Sequence, residues 1–226
     1  YIEGVQSKGI GTSLKHFAAN NREYDRFFQR SEMDERTLRE TYCRAFEIAL
    51  NAKPWTVMCS YNPVNGVYAS ENKHLLNDIL RNELGFDGVI VSDWGAVKHR
   101  AKSLKAGIDL AMPYSADYEK QLTDWYDKGL IDEDDLDRSI GKLRELAEKY
   151  RSADSRRKVT MTEKQKHELA VRAAEECAVL LKNDDDILPV CRDKRIAVIG
   201  GFAEHPEFQG GGSSRVNAKA AQSLCD

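Results

Sequence analysis

Val89-Ile90-Val91 is an unbroken apolar run, preceded by Gly85-Phe-Asp-Gly88 and followed by the polar Ser92-Asp93-Trp94-Gly95. A half-exposed strand would alternate apolar and polar positions, whereas a run apolar on both faces and bounded by glycines fits a parallel strand covered by helices. Ser92-Asp93-Trp94 then marks the C-terminal end of that strand, where such folds hold their chemistry. Upstream, Gly11-Thr-Ser-Leu-Lys15 leads as a strand into His16-Phe17. After a polar loop, Asp34 to Asn51 has helical spacing, with Leu38, Tyr42, Ala45, Phe46 and Leu50 on one side. Val57-Met-Cys-Ser-Tyr61 reads as a second strand. Ser70 is placed to cap a helix whose buried stripe is Leu75, Leu76, Ile79 and Leu80, and Gly85 closes it. Beyond Asp93 the pattern predicts a helix near Val97 to Lys105, a short strand in Gly107–Pro113, and helices at about 116–128 and 133–149.

This is a strand–helix unit repeated four times at the spacing of a (β/α)8 barrel. Four units do not close such a barrel, which leaves a stretch of a longer barrel or a different, open sheet. Residues 1–150 form the first domain on this reading. Arg151 to Thr162 is polar and without apolar periodicity, as expected of a linker, and from Glu163 the pattern restarts. A helix carrying Leu169, Val171, Ala174, Val179 and Leu180 leads through Ile187-Leu-Pro-Val190 to a predicted strand, Arg195-Ile-Ala-Val-Ile-Gly200, so that 163–226 opens a second domain.

With 226 residues and 41% hydrophobic content, the chain can bury a sizeable core. Its 34 basic and 37 acidic side chains leave a net charge of -3, which gives no electrostatic reason to expect nucleic acid or anionic lipid and favours a neutral substrate. No segment approaches the ~18 apolar residues of a membrane span. Tyr1-Ile-Glu-Gly has neither an initiator Met nor a basic segment and reads as a cut beginning. Cys43, Cys59, Cys177, Cys191 and Cys225 lack metal-binding spacing and are expected to be reduced core residues. The sequence has no Asn-x-Ser/Thr acceptor, in keeping with an unglycosylated product and favouring the cytoplasm for a bacterial parent. Arg195–Phe202 lacks the third glycine of a dinucleotide turn, and no Gly-Lys-Ser/Thr follows Gly210-Gly-Gly-Ser-Ser-Arg215, so neither segment implies a nucleotide. No metal or organic cofactor is implied.

Three strand ends converge on one face in this topology: Lys15-His16, Ser60-Tyr61-Asn62 and Asp93-Trp94. A neutral polyol needs fixed hydrogen-bonding groups beside an apolar surface, and Lys, His, Tyr and Trp supply both next to a carboxylate. A sugar ring fits that set. In acetal hydrolysis one carboxylate attacks the anomeric carbon while a second carboxyl protonates the leaving oxygen, with retention when the two stand ~5 Å apart. Asp93 is the candidate attacker. Plainer readings stand beside each residue: Asp93 as the cap of a helix starting near Ala96, Lys15-His16 as a solvated pair, Tyr61 and Trp94 as plugs of the barrel mouth, Met58 as core. His74, His99 and His167 lie in helical patterns and read as surface or packing residues, and Asp25, Asp109 and Asp117 have no distinguishing surroundings.

The segments Lys15-His-Phe-Ala-Ala-Asn-Asn-Arg-Glu23, Met58-Cys-Ser-Tyr-Asn-Pro-Val-Asn-Gly66, Leu75-Leu-Asn-Asp-Ile-Leu-Arg-Asn-Glu-Leu-Gly-Phe86, Val91-Ser-Asp-Trp-Gly-Ala96 and Ala106-Gly-Ile-Asp-Leu-Ala-Met-Pro113 together resemble glycoside hydrolase family 3, of the bacterial β-glucosidase type. Ala173–Asn183 and Leu188-Pro-Val190 resemble the entry into that family's second domain. The resemblance implies the C-terminal half of a (β/α)8 TIM-type barrel followed by the start of an α/β sandwich. It implies a β-glucosidase acting on β-glucosides or short oligosaccharides, with β-xylosidase, α-arabinofuranosidase or a non-catalytic carbohydrate-binding relic as alternatives. It also implies that Asp93 is the nucleophile, that Lys15 and His16 hold sugar hydroxyls, that Tyr61 sits by the nucleophile, and that Trp94 and Met58 line the subsite. The family's other sugar-binding Asp and Arg are expected upstream of Tyr1. Its acid/base glutamate is expected beyond the first domain and matches none of Glu163, Glu175, Glu176, Glu204 or Glu207. Without them the 226 residues alone are expected to be nearly inert. The open strand edges of a half-barrel favour self-association, so a homo-oligomer of the parent is a further expectation.

Overall fold

Leu75, Leu76, Ile79 and Leu80 recur at helical spacing on His74–Glu83, a wide-turned π-helical segment, and all four are fully buried. They form the floor on which the sheet rests. The computed structural model describes residues 1–153, 160–191, 193–218 and 221–225, and these fall into two units, Tyr1–Thr160 and Met161–Asp226.

In the first unit, β1 (Ser13–Phe17), β2 (Thr56–Cys59) and β5 (Val89–Val91) form a parallel sheet in the order β1-β2-β5. Leu14, Val57 and Ile90 stand in one row across it, and they pack with Phe17, Cys59 and the leucine-rich helix into one core cluster. Ser13, Thr56 and Val89 form a row on the opposite face, followed on that face by the Met58–Val91 pair. All three residues of β5 are buried, as an apolar run without alternation requires. Between β1 and β2 the chain is helical through Glu35–Thr37 (α2), a π segment Leu38–Cys43, and Arg44–Leu50 (α3). Leu38, Tyr42, Phe46 and Leu50 pack on the core as expected. Ala45 is exposed and Cys43 takes the buried place, because the π turn advances the stripe.

Several local expectations are corrected. Ser70 does not cap the leucine-rich helix: its hydroxyl donates to the Ala96 carbonyl, and Asn72 Oδ1 accepts the Leu75 amide instead. Gly107–Pro113 is no ladder-forming strand; it touches β5 through a single parallel bridge, Val91 to Leu110. An antiparallel hairpin of β3 (Pro63–Val64) and β4 (Val67–Tyr68) appears where none was expected. Its turn, Asn65-Gly66, has positive φ at both residues (49° and 84°), the form that matches strand twist and that Asn-Gly favours. The helix after Asp93 is α4 (Arg100–Ala106), with His99 Nδ1 capping the Lys102 amide; the His99 ring also packs against Trp125 at 4.9 Å, as a packing residue would. Next come α5 (Ala116–Asp127) and α6 (Glu133–Ser152), preceded in chain order by the N-terminal α1 (Ile2–Gln6). Helix α6 runs into the expected linker, of which 154–159 lie outside the described residues.

The second unit contains α7 (Glu163–Cys177), opened by a reciprocal capping box between Thr162 and Gln165. Val179 and Leu180 lie beyond its end. No strand forms at 195–200 among the described residues, where Ile196, Val198 and Ile199 are exposed. A strand exists through its ladder partner, and this run has none there. Two cysteines are buried, Cys43 and Cys59, but Cys177, Cys191 and Cys225 are exposed, which corrects the expectation of five core thiols.

Candidate active site

The C-terminal ends of β1, β2 and β5 meet at Asp93. Strand β1 does not continue regularly past Leu14: its register on β2 shifts between Leu14 and Phe17, and this irregularity carries His16. His16 Nε2 lies 3.2 Å from Asp93 Oδ2. From the end of β2, the Tyr61 hydroxyl donates to the Trp94 carbonyl at 2.8 Å, immediately after Asp93. The flanking Ser60 and Asn62 are buried and structural. Ser60 Oγ donates to Ala18 O at 2.9 Å, and Asn62 Nδ2 reaches Ala19 O at 3.2 Å and Ser31 Oγ at 3.1 Å, so they pin the chain that leaves β1.

Asp93 is not a helix cap. Helix α4 begins seven residues later under His99, and Asp93 Oδ1 accepts the neighbouring Trp94 amide at 2.7 Å. Its side chain is 13% exposed, which leaves it accessible from one side. Lys15 is exposed and its side chain makes no hydrogen bond or ion pair among the described residues; it acts on the site through its charge. Met58 is half-buried in the same row as Val91, two residues before Asp93. The Trp94 side chain is 66% exposed at the rim, and its backbone is the part that is held.

Electrostatics divide these groups by role. Burial lowers the His16 pKa, Asp93 opposes that shift, and the Lys15 charge adds to it, so the ring is neutral near pH 7. A neutral imidazole facing a carboxylate presents an N–H to it and leaves the other nitrogen free to accept. Burial, and then a hydrogen bond and the charge of Asp93, push Tyr61 up to about 12, which keeps its phenol a neutral donor. Burial pushes the Cys59 thiol, beneath the site, up to about 12 as well, and a thiol that stays protonated is unreactive.

Arg26 and Phe27 were not among the expected residues. The Arg26 guanidinium lies 5.1 Å from the Tyr61 ring centroid, Phe27 packs edge-on against the same ring at 4.6 Å, and Glu23 holds Arg26 at 2.8 Å. The signal was present in the loop after β1, where Arg22, Glu23, Tyr24, Arg26, Phe27 and Phe28 crowd charge and aromatic surface beside a strand end. Asp109, read as undistinguished, is a buried structural anion: its Oδ2 accepts from Arg81 at 2.7 Å and from the Ile90 amide at 2.8 Å. A cavity of about 590 Å³ lies at the other end of the sheet, lined by Trp55 and by Gly85 to Val89, where β2 and β5 begin, and it has no part in the Asp93 cluster. Among the described residues no group of His, Cys, Asp and Glu could hold a metal ion.

Residues 1–146 match the Glycosyl hydrolase family 3 N terminal domain, and residues 178–226 match the Glycosyl hydrolase family 3 C-terminal domain. The chain belongs to glycoside hydrolase family 3. Within this family it is 44% identical to Thermostable beta-glucosidase B of Acetivibrio thermocellus, over 96% of this chain and 29% of that protein. It is 46% identical to the Exo-alpha-(1->6)-L-arabinopyranosidase of Bifidobacterium longum, over 100% of this chain and 31% of that one. The structure of beta-glucosidase 3B from Thermotoga neapolitana in complex with alpha-D-glucose superposes with a TM-score of 0.90 at 35% identity, covering 99% of this chain and 33% of that chain. The family 3 chain described here thus spans about three tenths of the curated relatives it matches.

Proposed function

We propose that the full-length protein carrying this chain is a retaining glycoside hydrolase that releases terminal β-D-glucose from β-glucosides, with Asp93 as nucleophile. The observation that carries this reading is the convergence of His16 and Tyr61, from two different strands, on a partly accessible Asp93 at the end of a third. Family membership and the β-glucosidases among its relatives support it.

In the first step an Asp93 carboxylate oxygen attacks the sugar's C1, the C1–O bond to the aglycone breaks, and the departing oxygen takes a proton from a second carboxyl group. In the second step that group, now a base, removes a proton from water as the water oxygen attacks C1, releasing β-glucose and restoring the carboxylate. The acid/base is not assigned to any glutamate of this chain. Lys15 and His16 would hold sugar hydroxyls, Trp94 would form the apolar wall, and Met58 would line the floor. Tyr61 would steady the Trp94–Gly95 peptide, next to Asp93, while remaining protonated. In this reading the three parallel strands and the Leu110 segment are the C-terminal half of a (β/α)8 barrel, and residues 163–226 open an α/β sandwich after a linker at 151–162.

A second reading, an α-L-arabinopyranosidase, is favoured by the relative that is 46% identical over the whole chain. An α-L-arabinopyranoside presents an equatorial anomeric oxygen like a β-D-hexopyranoside but lacks the C6 hydroxymethyl group, so a few pocket contacts separate the two substrates. The test is hydrolysis of an aryl-glycoside panel (β-glucoside, β-xyloside, α-L-arabinopyranoside, α-L-arabinofuranoside) by the full-length protein and by Asp93→Asn. Preference for the β-glucoside, lost in the variant, is expected. Substantial hydrolysis by Asp93→Asn would remove Asp93 from its role, and preference for the arabinopyranoside would select the second reading.

A further inference from the structure

Ser92 has no place in the chemistry above, yet it is held on both its hydroxyl and its amide next to Asp93. It is fully buried, and its hydroxyl serves the Met112 backbone twice, accepting the Met112 amide at 2.8 Å and donating to the Met112 carbonyl at 3.3 Å. The same Met112 carbonyl accepts the Gly95 amide at 2.7 Å. One carbonyl therefore grips the chain on both sides of Asp93-Trp94, at Ser92 and at Gly95. Two further bonds set where Met112 stands: Ser92 N donates to Leu110 O at 2.9 Å, and Asp109 N donates to Ile90 O at 2.9 Å. The Asp109 carboxylate returns a bond to Ile90 N at 2.8 Å. Gly107–Pro113 is not a laddered strand because its other polar groups bond elsewhere: Ile108 N turns back to Ser103 O, and the Ile108 and Asp109 carbonyls accept from Arg100 and Ser139.

We propose that Ser92 is a positioning residue for the nucleophile: by clamping the backbone amide and carbonyl of Met112 it fixes the backbone dihedrals from which the Asp93 carboxylate is aimed. This rests on the reading of Asp93 as nucleophile. The hydroxyl is suited to the task because one oxygen both donates and accepts, so it gives the Met112 amide its acceptor and adds a second donor to the carbonyl that Gly95 already holds. Nucleophilic attack requires the reacting atoms within roughly 3.5 Å and aligned, and a displacement of about 1 Å costs on the order of 100-fold in rate. Loss of the clamp acts on that alignment and leaves Lys15 and His16, the groups that would bind sugar, in place.

The experiment uses the full-length protein and 2,4-dinitrophenyl 2-deoxy-2-fluoro-β-glucoside. An Asp93 oxygen bonds to C1, and dinitrophenolate leaves with the electron pair and needs no proton donor. The rate constant and the final amplitude of labelling are read separately, by mass and by released dinitrophenolate. Ser92→Ala is expected to label nearly to completion with a rate constant reduced roughly 30- to 100-fold and a concentration dependence unchanged within about 2-fold. Ser92→Cys, close in size and a weaker hydrogen-bonding group, is expected to fall between wild type and Ser92→Ala, and it carries the test alone if Ser92→Ala does not fold. Leu104→Ala, a buried truncation in a separate cluster with Ile131, is expected to lower the amplitude and leave the rate constant as in wild type. A wild-type rate constant in Ser92→Ala, or in Ser92→Cys where that variant stands alone, would overturn the proposal whatever the amplitude. Absence of label on Asp93 in the wild type would instead overturn the reading beneath it.

Discussion

His16 Nε2 lies 3.2 Å from Asp93 Oδ2, although their strands β1 and β5 are not neighbours and β2 runs between them. The contact closes over the end of β2, just where β1 loses its regular register. Ring and carboxylate thus meet at the lip of the sheet and not within it, and a substrate can reach both.

Acid should act on this contact with a definite sign. Burial holds the His16 pKa below 6.5, so between 6.5 and that lower value the unfolded chain binds a proton that the folded chain refuses. The group's contribution to stability therefore falls as pH drops through this window and is constant below it. His74 has the opposite sign: burial pulls its pKa down, but its bonds to Glu35 and Asp78 together outweigh this and raise it. In the full-length protein, the Tm advantage of wild type over His16→Asn is expected to shrink from about pH 7.5 to about pH 5. His74 is common to both proteins and drops out of the comparison. A difference that stays constant, or grows toward acid, would contradict the assignment.

Tyr61→Phe removes the donor to the Trp94 carbonyl and leaves the ring packed between Arg26 and Phe27. One net hydrogen bond is worth about 1 kcal/mol, so kcat on an aryl glucoside is expected to fall by roughly 5- to 10-fold. KM should change little. Because Tyr61 is pushed up to about 12, wild type and variant should share one alkaline limb up to roughly pH 9. A wild-type limb in that range that disappears in Tyr61→Phe would show the phenol ionising, contrary to this account.

The expected fold was legible wherever one side-chain pattern determines one element. Val89-Ile90-Val91 forms the fully buried strand, and the Leu75-to-Leu80 stripe forms the core floor, because burial of apolar surface has no competing solution there. Residue types drew Lys15, His16, Tyr61 and Asp93 to one end of the sheet, but two features were invisible in them. The shift after Leu14, which turns His16 onto Asp93, is held by side-chain bonds from Ser60 and Asn62 to the Ala18 and Ala19 carbonyls, main-chain acceptors that no residue type announces. The clamp by Met112 depends on main-chain groups, which carry no residue-type signal. Asn65-Gly66 was a different case, since its turn chemistry was there to be read.

Two glycines bordering β5 separate steric from conformational need. A Cβ on Gly88 would run into the Trp55 carbonyl oxygen, a backbone atom that also accepts the Val89 amide at 3.3 Å, and into the Phe86 ring. Gly85 has open space but a φ of +68°. Gly88→Ala is expected to destabilise by about 3 kcal/mol or more, because β2 and β5 must part. Gly85→Ala should cost about 1–2 kcal/mol, the penalty of a left-handed backbone. Urea midpoints of the two variants check the order, and equal effects would contradict the tight contact at Gly88.

If Asp93 attacks the sugar, it carries the label after fluoroglucoside trapping, and peptide mapping reads that position. The full-length protein is incubated with 2,4-dinitrophenyl 2-deoxy-2-fluoro-β-glucoside, digested at low pH and sequenced by tandem mass spectrometry. The predicted result is one fluoroglucosyl group, on Asp93, in a peptide containing Val91-Ser-Asp-Trp-Gly95. A label on any other carboxylate, or none in a protein that hydrolyses aryl β-glucosides, would contradict it.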